Sequence, residues 1–331
     1  MGTALRVSAP LLLIAFLPGA ASAQDRTGSP SPGTVHIAFV GDVMLDRLPG
    51  EVVARGGDPF EKVAAILDEA DFVVANLECV VATGGRRAEK HFTFRAHPRC
   101  LPLLAKHLDA VSLANNHTCD FGKPALVEML GRLEGAGLHS FGAGRDEASA
   151  HAPLVLRRNG LRIALLAFNE IDSRESEAGP GTPGVAWLEE RRAVADIRAA
   201  RANADVVIAF LHWGIQFEPE PTEGQRTLAR ALIDAGASAV VGSHPHVTQG
   251  AETYKGRPII YSLGDFIFDF EDPAKAVPES LTSWILRLTV DKGGIVTWDT
   301  VVARTDAAGL PQPVAGVSSP KGGTRNPGPN P

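Results

Sequence analysis

The chain has 331 residues, 44% hydrophobic and 21% charged, a globular composition with room for one large domain or two small ones. Its formal net charge is −6 and it contains no Lys/Arg-rich run, which argues against a primary nucleic-acid binder.

Taken from the start, residues 1–23 read as a secretory signal. Arg6 supplies the positive end, 11–17 the apolar stretch between Pro10 and Pro18, and Ala21-Ser22-Ala23 a small-x-small cleavage site. That stretch is far short of the ~20 residues needed to span a bilayer. The expectation is export to the periplasm, cell envelope or medium, with no span left after cleavage. Residues 24–33 form a polar Pro/Gly/Ser linker. The folded body is expected over 34–310. The Pro/Gly-rich stretch 311–331 holds almost no large apolar side chain and is expected to be disordered.

Within the body, apolar runs predict strands near 35–41, 72–76, 110–114, 153–157, 161–168 and 205–211. Between them, helical patterns fall near 59–70, 98–107, 123–136, 187–202 and 222–236. From 237 onward strands dominate, near 237–242, 247–253, 258–263, 283–290 and 295–303, with Asp291-Lys292-Gly293-Gly294 as a hairpin turn. Strand–helix alternation followed by hairpins predicts an α/β protein whose sheets are covered by helices.

Five of these runs end in polar clusters: Gly41-Asp42, Asn76-Leu77-Glu78, Asn115-Asn116-His117, His212-Trp213-Gly214, and Gly242-Ser243-His244-Pro245-His246. Ligands of open α/β sheets bind just beyond the carboxyl ends of the strands. The pattern therefore predicts one convergent site. His244 and His246, if extended, would point the same way. His212 is either a ligand or a core histidine with satisfied hydrogen bonds, and Trp213-Gly214 suggests a tight turn with the ring beside a cleft. Asp42 can ligate a metal, cap a helix or close a turn. Arg47, following Asp46, either pairs with a carboxylate or clamps an anionic substrate. Two Asn and a His in one triplet exceed what capping a helix near Gly122 needs, and His117 can donate a proton to a leaving group. The set of His, carboxylate and amide oxygen without thiolate suits Zn, Mn or Fe rather than Ca. Six donors are too many for one four-coordinate zinc and about right for two ions sharing a bridge. Cys79, Cys100 and Cys119 are isolated and read as small buried residues, an odd count leaving at least one free thiol.

These motifs, with Gly41-Asp42-Val43-Met44-Leu45-Asp46-Arg47, Leu113-Ala114-Asn115-Asn116-His117-Thr118 and Tyr261-Ser262-Leu263-Gly264-Asp265-Phe266, resemble the poly-γ-glutamate capsule synthesis protein CapA family. That family is similar to the calcineurin-like metallophosphoesterases. The resemblance covers about 35–303. It implies a four-layer α/β/β/α sandwich of metallophosphoesterase type, with Asp42, Glu78, Asn116, His212, His244 and His246 as ligands of one or two divalent ions. It places His117 as general acid; Arg47 is expected as a second catalytic residue, and Asn76, Asn115, Asp46 and Asp265 are expected to bind substrate. Met44 stands where the phosphoesterase motif Asp-x-His has its histidine, and Asn76-Leu77-Glu78 where it has Gly-Asp. The implied substrate is an anionic polymer or phosphoester, cut at a phosphoester or γ-glutamyl amide bond. The implied partners are membrane capsule synthase or export proteins. A non-catalytic accessory role in the same assembly is the alternative.

Overall fold

The computed structural model describes residues 33–270, 277–317 and 319–322. The signal at 1–23 and all but the last residue of the linker lie outside them. Two sheets carry the fold. In the nine-stranded sheet the order is Pro311–Pro313, Gly294–Thr305, Thr282–Asp291, Val35–Val43, Phe72–Leu77, Ala110–Ser112, His139–Phe141, with Asp265–Ile267 and Lys321–Gly322 pairing at the side. In the six-stranded sheet it is Thr248–Tyr254, Arg257–Leu263, Ala239–Ser243, Val206–His212, Leu161–Asn169, Leu154–Arg158. The central strands of both sheets are parallel and the outer hairpins antiparallel. Parallel strands need both faces covered, which is why Val206–His212 and Phe72–Leu77 are buried at every position.

Three apolar layers make the sandwich. Between the sheets, Ile37 and Phe39 meet Ile163, Leu165, Ile208 and Phe210, and Phe39 sits edge-on to Phe210 with centroids 5.7 Å apart. The alternate residues Ala38, Val40, Val73 and Val111 face outward onto Leu104, Leu126, Met129 and Leu133 of helices Leu101–His107 and Lys123–Gly135. On the far side, Ala164, Leu166, Val207 and Ala209 face Ala193 and Ile197 of Glu190–Arg201 and Ala229, Leu232 and Ile233 of Glu223–Ala235. Period-two strands thus serve two layers at once, giving helix, sheet, sheet, helix. Glu223–Ala235 opens on a capping box between Thr222 and Gln225 and stops at Gly236, whose φ of 121° suits glycine.

The expected helix over 59–70 shortens to Ala64–Leu67, while Arg47–Ala54 forms with Asp46 as its N-cap. The expected disorder from 311 does not hold among the described residues. Pro311–Pro313 and Lys321–Gly322 both pair with Gly294–Thr305. An outer strand has unpaired backbone groups to offer, and an edge is one of the few sheet positions that tolerate proline. No described helix is long and apolar enough to cross a membrane.

Candidate metal centre

The carboxyl ends of both parallel strand sets reach the same edge of the sandwich. Asp42 lies level with Asn76 on one neighbour and with Asp265 on the other. In the second sheet, His212 lies level with Ser243 and Asn169. Glycine permits the close approach of neighbouring chains here. A Cβ on Gly41 would run into the Gly264 carbonyl, and one on Gly242 into the Tyr261 carbonyl and the Trp213 indole. His244 and His246 converge by a different route from the expected extended alternation. Both lie at positive φ, 97° and 57°, and their ring centroids are 5.6 Å apart. Such backbone is costly for a non-glycine residue and clusters at functional sites.

Three overlapping groups of donors result: Asp42, Glu78 and His212; Glu78, His244 and His246; Asp42, His246 and Asp265. Within each, one donor atom per residue lies within 4.8 Å of the others, and all the residues are buried. Both oxygens of the Glu78 carboxylate are buried with no N–H or hydroxyl donor on them, the Asp42 carboxyl lying alongside within hydrogen-bond reach; Nδ1 of His244 is buried without a partner too. Glu78 Oε1 stands 3.6 Å from His212 Nε2 and 3.9 Å from His117 Nε2. His212 Nε2 is 2.8 Å from Oδ1 of the half-buried Asn116. A buried carboxylate with no donor is costly unless a cation completes it. The donor set fits one: Glu78, Asp42 and His246 each belong to two of the three groups.

Ionisation states agree with that reading. Burial first, then the neighbouring Asp42 and Asp265, holds the Glu78 carboxyl well above its ordinary range. Burial raises Asp42 to about 6, with His246 opposing and Asp265 adding to the rise. Burial and neighbouring histidines hold His212 and His244 well below the usual imidazole value, keeping them neutral as metal ligation requires. For His246 burial pulls downward, but Asp265 and Asp42 outweigh it and the net shift is upward.

The remaining expected residues divide. His117 Nδ1 is 2.7 Å from Asp120 Oδ2; with the proton on Nδ1 donated to Asp120, Nε2 is left toward Glu78. Burial lowers the His117 imidazole, against the pull of Asp120. Asp120 was missed in the sequence, although its i, i+3 relation to His117 was a usable signal. It also accepts from the Phe94 N–H at 2.7 Å and holds Lys90 at 2.6 Å. Asp265 Oδ1 is 2.7 Å from His246 Nδ1. Asp265 is fully buried against that ring, the position of a residue that orients a ligand or binds an ion.

Asn76 and Asn115 are both buried. The Asn76 amide donates to Asp42 Oδ1 at 2.7 Å, and the Asn115 amide donates to Asn76 Oδ1 and the Leu77 carbonyl. Asn115 Oδ1 accepts from His117 N–H and Thr118 Oγ1. These two residues tie the strand ends together. Asp46 spends its carboxylate on the N–H groups of Arg47 and Arg95. Arg47 takes the carboxylate-pairing role, donating to Asp269 Oδ1 and the Asp269 carbonyl and lying over the Phe94 ring. Trp213 is wholly buried beneath the outer helices, not beside a cleft, with its indole N–H on the Tyr261 carbonyl. Met44 is buried in the sheet–helix core, and its sulfur lies 3.2 Å from the Asp46 N–H. It adds no donor to the centre. All three cysteines are free, two of them buried.

A family model described as bacterial capsule synthesis protein matches residues 36–270. The chain belongs to that family. A PGA biosynthesis protein CapA of Bacillus subtilis (strain 168) is 32% identical over 265 residues, covering 78% of this chain and 70% of the relative. A capsule biosynthesis protein CapA of Bacillus anthracis is 30% identical over 325 residues, covering 93% and 78%. A probable polyglutamine synthesis accessory protein of Mycobacterium tuberculosis (strain CDC 1551 / Oshkosh) is 32% identical over 270 residues, covering 77% and 70%. Among solved structures, a 5′-nucleotidase precursor from Thermus thermophilus aligns at TM-score 0.47 and 18% identity, over 84% of this chain and 56% of that one. An NAD nucleotidase of Haemophilus influenzae aligns at 0.46 and 14%, over 86% and 60%.

Proposed function

We propose that the protein is an exported, metal-dependent hydrolase acting on capsule or envelope polymer, at a phosphoester or γ-glutamyl amide bond. The observation that carries the reading is the Glu78 carboxylate, buried with no N–H or hydroxyl donor on either oxygen and grouped with His212, His244 and His246. Asp42, Glu78, Asn116, His212, His244 and His246 would hold one or two ions of Mn, Zn or Fe. When bound, such ions polarise a carbonyl or phosphoryl oxygen and lower the pKa of water. The chain's own residues do the rest. Asp120 accepts the Nδ1 proton of His117, so the imidazolium, protonated at Nε2 as well, would pass that second proton to the leaving group and return to the neutral Nδ1–H ring. Phe94, 4.4 Å from the His117 ring, and Phe268, 5.1 Å from His246, wall the two rings. The relatives' names place them in PGA and capsule biosynthesis, which supports a polymer as the substrate. The accessory role named for the mycobacterial relative is the competing reading.

The test is a leaving-group series on the metal-loaded protein. His117→Ala should retain metal and lose about 10²–10⁴-fold in turnover on substrates with poor leaving groups, the cost typical of losing a general acid. On good leaving groups the loss should shrink. Equal losses across the series would remove His117 as the proton donor. A metal-loaded wild type without turnover on any phosphoester or γ-glutamyl substrate would leave the accessory role.

A further inference from the structure

Two phenylalanines near the metal centre lie open to solvent, Phe92 at 40% exposure and Phe217 at 42%. An unbroken series of ring contacts joins them. Phe92 stacks toward Phe94 with centroids 6.4 Å apart, and Phe94 meets Phe268 edge-on at 5.6 Å. Phe268 meets His246 at 5.1 Å, and His246 meets Phe217 at 6.0 Å. Phe94 also touches the His117 ring at 4.4 Å. The series therefore passes both His117 and a histidine of the metal centre, with an open ring at each end. Phe217 is held there against its own preference. Its φ of 63° is left-handed backbone, an outlier for a bulky side chain. Its N–H donates to the Pro245 carbonyl at 2.8 Å, between His244 and His246. Gln249 Nε2 fixes the same loop through the Glu218 carbonyl at 2.9 Å. Stability alone would favour glycine or asparagine at such a backbone and a polar side chain at such exposure.

We propose that Phe217 and Phe92 form a subsite for an uncharged apolar group that the substrate carries beside the bond held at the metals. The inference rests on the hydrolase reading and names a feature of its substrate. The lining selects the occupant. Phenylalanine rings bind hydrocarbon by the area they remove from water and by edge-to-face contact, and their negative faces repel a carboxylate. The cations close to the series are already paired. Arg47, over the Phe94 ring, donates to Asp269, and Lys90 is held by Asp120 and Asp172. Ile215, 54% exposed on the Phe217 loop, is apolar as well.

The experiment measures binding of phenylphosphonate, methylphosphonate and 2-carboxyethylphosphonate to the metal-loaded full chain by calorimetry. All three offer the metals one headgroup, and their C–P bonds do not hydrolyse. Phenylphosphonate should bind at least ~10-fold more tightly than either of the others, about 1.4 kcal/mol. The double variant Phe92→Ser/Phe217→Asn should lose that preference and keep its metal content. Phe217→Asn alone should melt at or above the wild-type temperature, because asparagine tolerates this backbone. A phenyl preference unchanged in the double variant would overturn the subsite. So would 2-carboxyethylphosphonate binding most tightly, or no phosphonate binding at all. A Phe217→Asn protein that melts lower and keeps the preference would make the ring structural and overturn it too. Binding is read without turnover, so a protein that prefers phenylphosphonate but cleaves no ester or amide would fail the hydrolase reading and leave the subsite standing.

Discussion

Glu78 concentrates the energetics of the centre in one side chain. Its carboxyl is held well above the ordinary value of 4.5 by burial and two neighbouring carboxylates. A carboxyl raised in the folded state costs nothing below its unfolded pKa and costs progressively more as pH rises above it. Metal-free Glu78→Gln should therefore be more stable than metal-free wild type at neutral pH, and the difference should close on acidification below about 4.5. With metal added the order should reverse, since the variant would lose a carboxylate ligand. Denaturation midpoints with and without chelator, across that pH range, check both halves. Wild type more stable than the variant at neutral pH in the absence of metal would contradict it. At this scale the sequence was informative about residue type and poor about direction. Asn115 and Asn116 are adjacent, yet one turns inward to bind the Asn76 amide and the Leu77 carbonyl while the other reaches His212. Which of two neighbours in a turn faces the cavity depends on φ and ψ, and composition does not record those. Asp46 and Arg47 show the same limit: chemistry-bearing side chains absorbed by a helix cap and an ion pair.

At the scale of elements, long buried strands were legible because an unbroken apolar run of that length has few other uses. Val206–His212 and Thr282–Asp291 appear close to where the runs predict them. Three-residue strands such as His139–Phe141 and Asp265–Ile267 carry no period to read and are made by neighbours that need partners. The helix expected over 59–70 had apolar residues enough, but only its middle coils into a helix. The His244–His246 turn departs from extended geometry, both residues lying at positive φ, and it follows a strand end where Gly242 passes the Tyr261 carbonyl too closely for a Cβ. Gly41 is the matching contact in the other sheet, with the Asp42 N–H donating to the Gly264 carbonyl at 3.1 Å. Gly41→Ala should push these strands apart, cost about 1–3 kcal/mol of stability as overpacking does, and weaken metal binding through Asp42. Denaturant midpoints and metal titration on this single variant check it. Wild-type values in both would show that the strand ends have slack.

For the whole molecule, the sandwich brings two sets of parallel strand ends to one edge. Asp42, Glu78 and Asn116 arrive with the first sheet and His212, His244 and His246 with the second. Neither sheet supplies a complete donor set, so metal and inter-sheet packing should stabilise each other. Chelation should lower the melting temperature, and re-addition of Mn, Zn or Fe should restore it. The most direct measurement is elemental analysis of the purified mature protein beside His244→Ala and His246→Ala. One to two equivalents of a divalent transition metal in wild type, with a loss in each variant, is the expected result. A wild type that retains no ion after loading, or variants that keep full stoichiometry, would contradict a metal centre at these strand ends.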